Sequence, residues 1–303
     1  MKVLLAGGTG FLGSHLAKAL LTEGHQVYQL TRKRKAGLPG AESVVWDGKT
    51  AQGWGSLVNE MEAVVNLTGL SLNNWPWTEK KKRMFLRSRV EPGRALVVAI
   101  EEAEHRPSIF VQISGINYYG LRGTQIVGED APPGDDFLAQ LAVDWEHSTA
   151  SIESLGVRRV VCRTAVVLAR DAILFQLMTL PARLFFGGRL GRGDQALPWI
   201  HLEDVLGAIQ FLIENEGTGG AYNLIAPNPV SNADFMRAIA QAYRRPYWFH
   251  IPAFLLRLVL GEMSVLIAEG RYAEPRRLLQ SGYTFHYPTL NAALDQLDWS
   301  SPS

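Results

Sequence analysis

Gly7-Gly8-Thr9-Gly10-Phe11-Leu12-Gly13 sets glycines at 7, 10 and 13, directly after the apolar run Val3-Leu4-Leu5-Ala6. Each glycine has its own duty: Gly7 permits a tight turn, Gly10 lets the backbone come close to an anion, and Gly13 lets a helix pack on a sheet. A helix opening here would aim free amide groups and the positive end of its dipole at a phosphate. With Thr9, Phe11 and Leu12 between the glycines, the segment reads as the pyrophosphate turn of a dinucleotide site. The alternative is a strand-to-helix turn that holds no ligand.

The end of the next strand-like run, Leu30-Thr31-Arg32-Lys33-Arg34-Lys35, chooses between cofactors. An NAD site ends this strand with a carboxylate that accepts from the ribose 2′-hydroxyl. No acid is present, and a 2′-phosphate would be met by Arg32, with Thr31 and Lys33 beside it, so the expected cofactor is NADP. Asp47, in Trp46-Asp47-Gly48, is placed to accept from an adenine amino group. Asn66-Leu67-Thr68-Gly69 ends a further strand, where small residues let a ribose lie against the backbone.

Strands and helices must alternate to hold these turns at one edge. Gln26 to Leu30, Ala63 to Leu67, Ile109 to Ile113 and Val157 to Cys162 are short β-rich runs, separated by helical patterns at Phe11 to Glu23, Glu79 to Glu101 and Asp135 to Leu155. That order predicts an α/β fold: a Rossmann doubly wound parallel sheet covered on both faces. After Ala226 the pattern turns helical, at Ser231 to Tyr243 and Pro252 to Gly270, with Pro-rich joints. The expected domains are 1–225, binding NADP, and 226–303, a small, mainly helical C-terminal domain on the substrate side.

Composition narrows the class. A single cysteine among 303 residues cannot build a disulfide framework, and no secretory leader precedes Lys2, which together predict a reducing, cytoplasmic setting. Ile251 to Ala268 is the one apolar run to weigh against a bilayer, but Arg257 and Glu262 interrupt it, which predicts a partly buried helix and no membrane. Seven histidines with no His-x-x-x-His or Cys-x-x-Cys pairing predict no metal. The pI near 7.9 predicts no nucleic-acid partner. The net charge of +1 conceals an asymmetry, with 14 basic residues against 7 acids before residue 101, and all eight lysines at or before Lys82.

With these residues in view, the chain resembles the extended short-chain dehydrogenase/reductases of the epimerase/dehydratase branch. It is similar in particular to an atypical "epimerase family" subgroup with its own C-terminal domain of unknown function. The likeness runs through the glycine motif, Asn66 to Gly69, Ser88-Arg89, Ser114 with Tyr118-Tyr119-Gly120, Asp144-Trp145-Glu146, Arg163 to Leu168, Gly191 to Asp204, Arg245-Pro246 and the tail from Gly261 to Pro288. It implies NADP binding, with Arg89 aimed into the cofactor groove, and an oxidoreductase without a settled substrate.

The wider family also implies a Tyr-x-x-x-Lys pair, in which the lysine lowers the tyrosine pKa for proton transfer. No tyrosine here has lysine four residues on, and aligning on Glu146 puts the expected pair near Leu138 or Phe137 and Ala142 or Leu141. The catalytic candidates left are Ser114, Tyr118 and Tyr119, with Arg122 four residues past Tyr118; either tyrosine could equally be a packing residue. Arg163 either reaches the active-site mouth or binds a carboxylate such as Glu146. Gln195, Trp199 and His201 fall in a loop beside the pocket, His201 expected to be structural. Two classes of function stay open. One is an NADP-dependent oxidoreductase or epimerase-like enzyme for a small polar hydroxyl or carbonyl substrate, as monomer or homodimer. The other is a non-catalytic NADP-binding sensor or scaffold, including one tied to division. A pocket filled by Phe137, Leu141 and Trp199 would argue against the enzyme.

Overall fold

Val3 and Leu5 face one side of the first strand while Leu4 and Ala6 face the other, and all four are fully buried. A strand apolar on both faces needs a layer of helices on each. In a computed structural model, which describes residues 1–33, 37–121 and 125–297, that demand is met. β1 (Lys2–Ala6) enters α1 (Phe11–Thr22), followed by β2 (Gln26–Thr31), β3 (Glu42–Val45), β4 (Ala63–Asn66), α2 (Glu79–Glu101), β5 (Ile109–Gly115), α3 (Phe137–His147) and β6 (Arg158–Thr164). Next come β7 (Val166–Leu168), α4 (Ile173–Arg183), β8 (Gly188–Leu190), β9 (Trp199–His201), α5 (Leu202–Glu214) and β10 (Gly220–Leu224). The chain ends with α6 (Asn232–Ala242), β11 (Phe249–Ile251), α7 (Ala253–Leu260), α8 (Val265–Ala268), α9 (Arg276–Gln280) and α10 (Leu290–Asp295).

Seven strands form a parallel sheet in the order β10-β6-β5-β4-β1-β2-β3. Strand order reverses between β1 and β4, and in such sheets ligands bind in the crevice outside the carboxyl ends at that point. The glycine turn after β1 and Asn66 to Gly69 after β4 flank this crevice. Val3 and Leu5 pack with Leu16 and Leu20 of α1 and Val205 and Ile209 of α5. Leu4 and Ala6 pack with Leu96 and Ile100 of α2. Each fully buried large side chain stabilises the fold by about 1.5–3 kcal/mol.

A further core joins Phe175 and Met178 of α4 and Trp199 of β9 to Phe235 and Ile239 of α6 and Leu290 and Leu294 of α10. Asp204 in α5 ties the C-terminal segment down: its carboxylate accepts from the backbone N–H groups of His286 (2.7 Å) and Tyr287 (3.0 Å).

Two helical expectations need correction. The stretch from Asp135 to Leu155 is not one helix: α3 runs from its cap, Asp136, to His147, and a separate 3₁₀ turn covers Ala150–Leu155. The stretch from Pro252 to Gly270 breaks at Gly261, whose φ of +55° is left-handed, into α7 and α8. The partial burial expected over Ile251 to Ala268 is seen: Leu256 and Leu260 of α7 are half-buried against the core, and Met263 and Ile267 beyond it are buried. The small pairs β7 with β9 and β8 with β11 leave too short a pattern to read from the sequence. Among the described residues no helix is long and apolar enough to cross a membrane.

Candidate functional site

The glycine spacing is imposed by contacts. Gly7 has φ +81°, and a Cβ on it would lie 2.8 Å from the Leu67 carbonyl carbon. A Cβ on Gly13 would lie 2.3 Å from the Gly7 oxygen, so any larger residue would push α1 off the turn. Gly10 is the helix N-cap; no side chain caps the first turn of α1, and Thr9 and Gly10 are exposed at its mouth. Those first amides are orphans by construction, pointing at the crevice.

Gln29 holds the turn from beneath. It is fully buried in β2, donates Nε2 to the Gly8 carbonyl (2.8 Å) and accepts from the Leu38 N–H (2.9 Å). Its role was missed in the sequence; the only signal was a polar residue in the otherwise apolar run Val27-Tyr28-Gln29-Leu30. Across the crevice Asn66 is equally buried; its Oδ1 accepts from the N–H and hydroxyl of Thr68 (3.1 and 2.6 Å), which fixes the backbone from Leu67 to Gly69.

At the far end of β2 Thr31 is buried and donates to the Lys33 carbonyl (2.8 Å), while Arg32 is exposed. Arg34 and Lys35 lie outside the described residues. Asp47 is occupied locally: its carboxylate accepts from the N–H groups of Lys49 (2.7 Å) and Thr50 (2.8 Å) and from the Thr50 hydroxyl (2.9 Å). These bonds hold its pKa below the ordinary aspartate value.

A cavity of about 360 Å³ runs from Leu12, Leu67 and Gly69 to Ser114, Asn117 and Arg271. Phe137, Leu141 and Trp199 do not line it, so it is not filled in the way the sequence left open. Arg89 does line it, 6% exposed, with its guanidinium against Gly69, over the Trp145 ring (4.7 Å) and donating to the carbonyls of Leu70 and Phe85 (both 3.1 Å). Burial lowers its pKa to about 10.

Ser114 opens a chain of hydrogen bonds leading away from the cavity. Its hydroxyl donates to Glu146 Oε1 (2.7 Å), and Glu146 is gripped on both oxygens by Arg163 Nε and Nη2 (each 2.9 Å). Arg163 also donates Nη1 to the Tyr119 hydroxyl (2.8 Å), which in turn donates to Asn223 Oδ1 (2.8 Å). The Asn223 N–H donates to Glu129 Oε1 (3.1 Å). Burial opposes the charge on Arg163, but the bonds and attraction of Glu146 outweigh it and hold the pKa above the arginine norm.

The candidate tyrosines therefore divide. Tyr119 is 1% exposed with its hydroxyl used on both sides, and burial, only partly offset by Arg163, raises its pKa. Such a phenol resists becoming a phenolate. Tyr118 is half-buried, its ring 3.4 Å from the Arg163 guanidinium carbon, and neither tyrosine lines the cavity beside Ser114. Arg122 lies outside the described residues. Of the expected loop residues, Gln195 and Trp199 are buried; His201 caps α5 by accepting from the Glu203 N–H (3.3 Å), with burial lowering its pKa. Asn117 and Arg271 were not picked out from the sequence, and no motif marks them. Glu23, His25 and Glu214 bring three potential ligand atoms within 4.8 Å of one another, past the C-terminal end of α1 and away from the glycine turn.

This geometry agrees with what the chain is similar to. Residues 3–224 match the NAD dependent epimerase/dehydratase family, and the chain belongs to that family. Residues 251–297 match a domain of unknown function, DUF1731. The epimerase family protein YfhF of Bacillus subtilis is 38% identical, over 98% of both chains. The crystal structure of human epimerase family protein SDR39U1, solved with NADPH, superposes with a TM-score of 0.88 at 35% identity, covering 98% of this chain and 99% of that one. A nucleoside-diphosphate sugar epimerase from Corynebacterium glutamicum gives a TM-score of 0.76 at 30% identity, over 97% of this chain and 57% of that one.

Proposed function

We propose that the chain is an NADP(H)-dependent oxidoreductase or epimerase-like enzyme acting on a small polar hydroxyl or carbonyl compound. The observation that carries this reading is the continuous cavity from the crevice at the sheet's switch point to Ser114. The NADPH in the human relative supports the same cofactor here. The residues fit it: Gly7 and Gly13 let the turn and α1 close together into a cradle where any Cβ would force the backbone apart, the first turn of α1 offers amides to the pyrophosphate, and exposed Arg32 would hold the 2′-phosphate. Bound there, the nicotinamide supplies or accepts a hydride. Arg89 would sit beside the groove as a buried cation, and Asp47 would reach adenine only with lone pairs left over from its own turn.

Ser114 would position the reacting oxygen. Its one hydrogen is directed to Glu146, so toward the cavity it presents an acceptor, which suits a substrate that offers a hydroxyl. Tyr118, half-buried outside the cavity lining, is the catalytic alternative, and its phenol would have to turn toward the substrate.

A second reading, a non-catalytic NADP-binding sensor or scaffold, is favoured by one observation: the Ser114, Glu146, Arg163 and Tyr119 groups satisfy one another. Titration with NADPH and NADH tests the cofactor; NADPH should bind more tightly, and equal affinity or tighter NADH would overturn it. A screen of alcohols and carbonyl compounds with NADP⁺ and NADPH then separates the readings. Turnover abolished by Ser114→Ala or Tyr118→Phe supports the enzyme, and no turnover with any substrate supports the sensor.

A further inference from the structure

The outer face around α4, β11 and α7 is unlike the rest of the surface. Phe185 (52% exposed), Phe186 (53%), Trp248 (72%), Phe254 (67%) and Leu258 (79%) stand out into solvent. The first three are held together: Trp248 Nε1 donates to the Phe185 carbonyl (2.9 Å), and Phe186 meets Phe249 edge to face (5.8 Å); Phe254 and Leu258 lie on α7, which follows β11 directly. Scattered apolar residues are ordinary on a surface, but exposed rings fixed against one another and followed by an apolar exposed helix mark an interaction site.

The charge around the face is mainly basic. Residues 171–194 and 234–262 contain seven arginines against four acids. Arg192, Arg237 and Arg257 are paired with Asp194, Asp234 and Glu269. Arg183, Arg189, Arg244 and Arg245 form no ion pair with an acid among the described residues; Arg245 lies over the Phe185 ring (4.0 Å).

The backbone adds an independent observation. Among the described residues the two non-glycine positions with left-handed φ are Phe185 (+67°) and Arg244 (+53°). Each stands just past a helix end closed by the same paired bonds, Phe185 and Phe186 N–H to Ala182 and Pro181 carbonyls, Arg244 and Arg245 N–H to Gln241 and Ala240 carbonyls. Glycine is the residue that relieves strain at this position of the motif. The chain instead keeps a phenylalanine and an arginine there, and strain of this kind gathers where function requires it.

The geometry points to a membrane-surface docking face: protruding Trp, Phe and Leu side chains that enter the headgroup boundary of a bilayer while arginines engage anionic lipid. Protruding aromatic and aliphatic groups backed by arginine are what an interfacial anchor needs. A second copy of the chain is the poorer occupant, because two such faces meeting across a two-fold axis would set arginine against arginine. The face docks on a bilayer without spanning it, and it does not depend on the NADP reading.

Flotation of the full chain with vesicles of phosphatidylcholine alone, or mixed with phosphatidylglycerol, tests this. The chain should float with the mixed vesicles and be released by salt. Phe254→Ser with Leu258→Ser should cut the partition at least ten-fold, and Arg244→Glu with Arg245→Glu should do the same, whereas Val98→Ser on α2 should not. Phe185→Gly should raise the thermal midpoint yet weaken partition, an outcome a purely structural residue would not give. Folding of every variant is checked by its far-ultraviolet circular dichroism. Absence of binding to anionic vesicles overturns the proposal, as does binding that both double variants retain. So does a wild-type dimer that Phe254→Ser with Leu258→Ser converts to monomer while vesicles bind neither form.

Discussion

The glycine turn beside the cavity and the Ser114 network are built on opposite plans. At the glycine end polar groups are left open: uncapped amides at the start of α1 and an exposed Arg32. At the Ser114 end they are closed on one another, from Ser114 through Glu146, Arg163, Tyr119 and Asn223 to Glu129. An open set awaits a ligand, whereas a closed set stiffens the protein. The lysine that the resemblance to the wider family implies is absent, and a bidentate arginine and carboxylate pair, Arg163 with Glu146, lies in the interior. The difference teaches that this fold can build an open turn and a self-satisfied polar network beside one cavity: one leaves its groups free while the other becomes a cross-link.

The largest effect that would break this comparison is on stability. Glu146→Ala removes the partner of a nearly buried guanidinium, and losing one half of such a pair costs about 3–5 kcal/mol. Urea unfolding should show it; a loss below about 1 kcal/mol would mean that the closed set is not structural. At the open end Arg32→Ala should leave unfolding unchanged and weaken NADPH by about ten- to a hundred-fold, the worth of a hydrogen bond to a charged group. NADH affinity should not move, and a parallel loss for both cofactors would place Arg32 away from the 2′-phosphate.

Tyr119→Phe sharpens the contrast, leaving Arg163 Nη1 and Asn223 Oδ1 short of a partner for about 1–2 kcal/mol of stability with substrate affinity intact. A raised KM instead would bring Tyr119 back into the site. The smallest effect depends on pH. Burial, offset in part by the Asn223 and Arg277 N–H groups, raises the pKa of Glu129, and its Oε2 is buried without a hydrogen-bond partner. A carboxyl raised in the folded state contributes stability that is complete below its unfolded pKa and is lost as pH rises through the folded value. Glu129→Gln does not titrate, so it should match the wild type in acid and gain on it by about 1 kcal/mol at neutral pH. Thermal melts across that range check the sign.

Much of the open end was legible because its determinants are local. Glycines at 7, 10 and 13 must sit between a strand and a helix, and α2 lies where its helical spacing placed it, Glu79–Glu101. The bond between Arg163 and Glu146 was one of two readings of an interior arginine, and the structure makes it. The closed end was not legible as a whole, because Asn223 lies 104 residues from Tyr119 and no spacing rule spans that distance. Gln29 was hidden for the opposite reason: one polar residue in a strand is a faint signal until its partners, Gly8 and Leu38, are known. The break at Gly261 escaped because apolar spacing continues through it, and only the left-handed φ ends the helix.

Cys162, the chain's one cysteine, lies at the centre of β6, level with Ile113 of β5 and Tyr222 of β10, and is wholly buried, with burial pushing its thiol up to about 12. A reagent for thiols can reach it only when the layer packed over that face of the sheet opens. The protein thus carries its own clock for the opening of its core over β6. Its labelling rate reads the population of opened molecules, and any ligand that binds only the closed form must slow that clock in proportion to its occupancy.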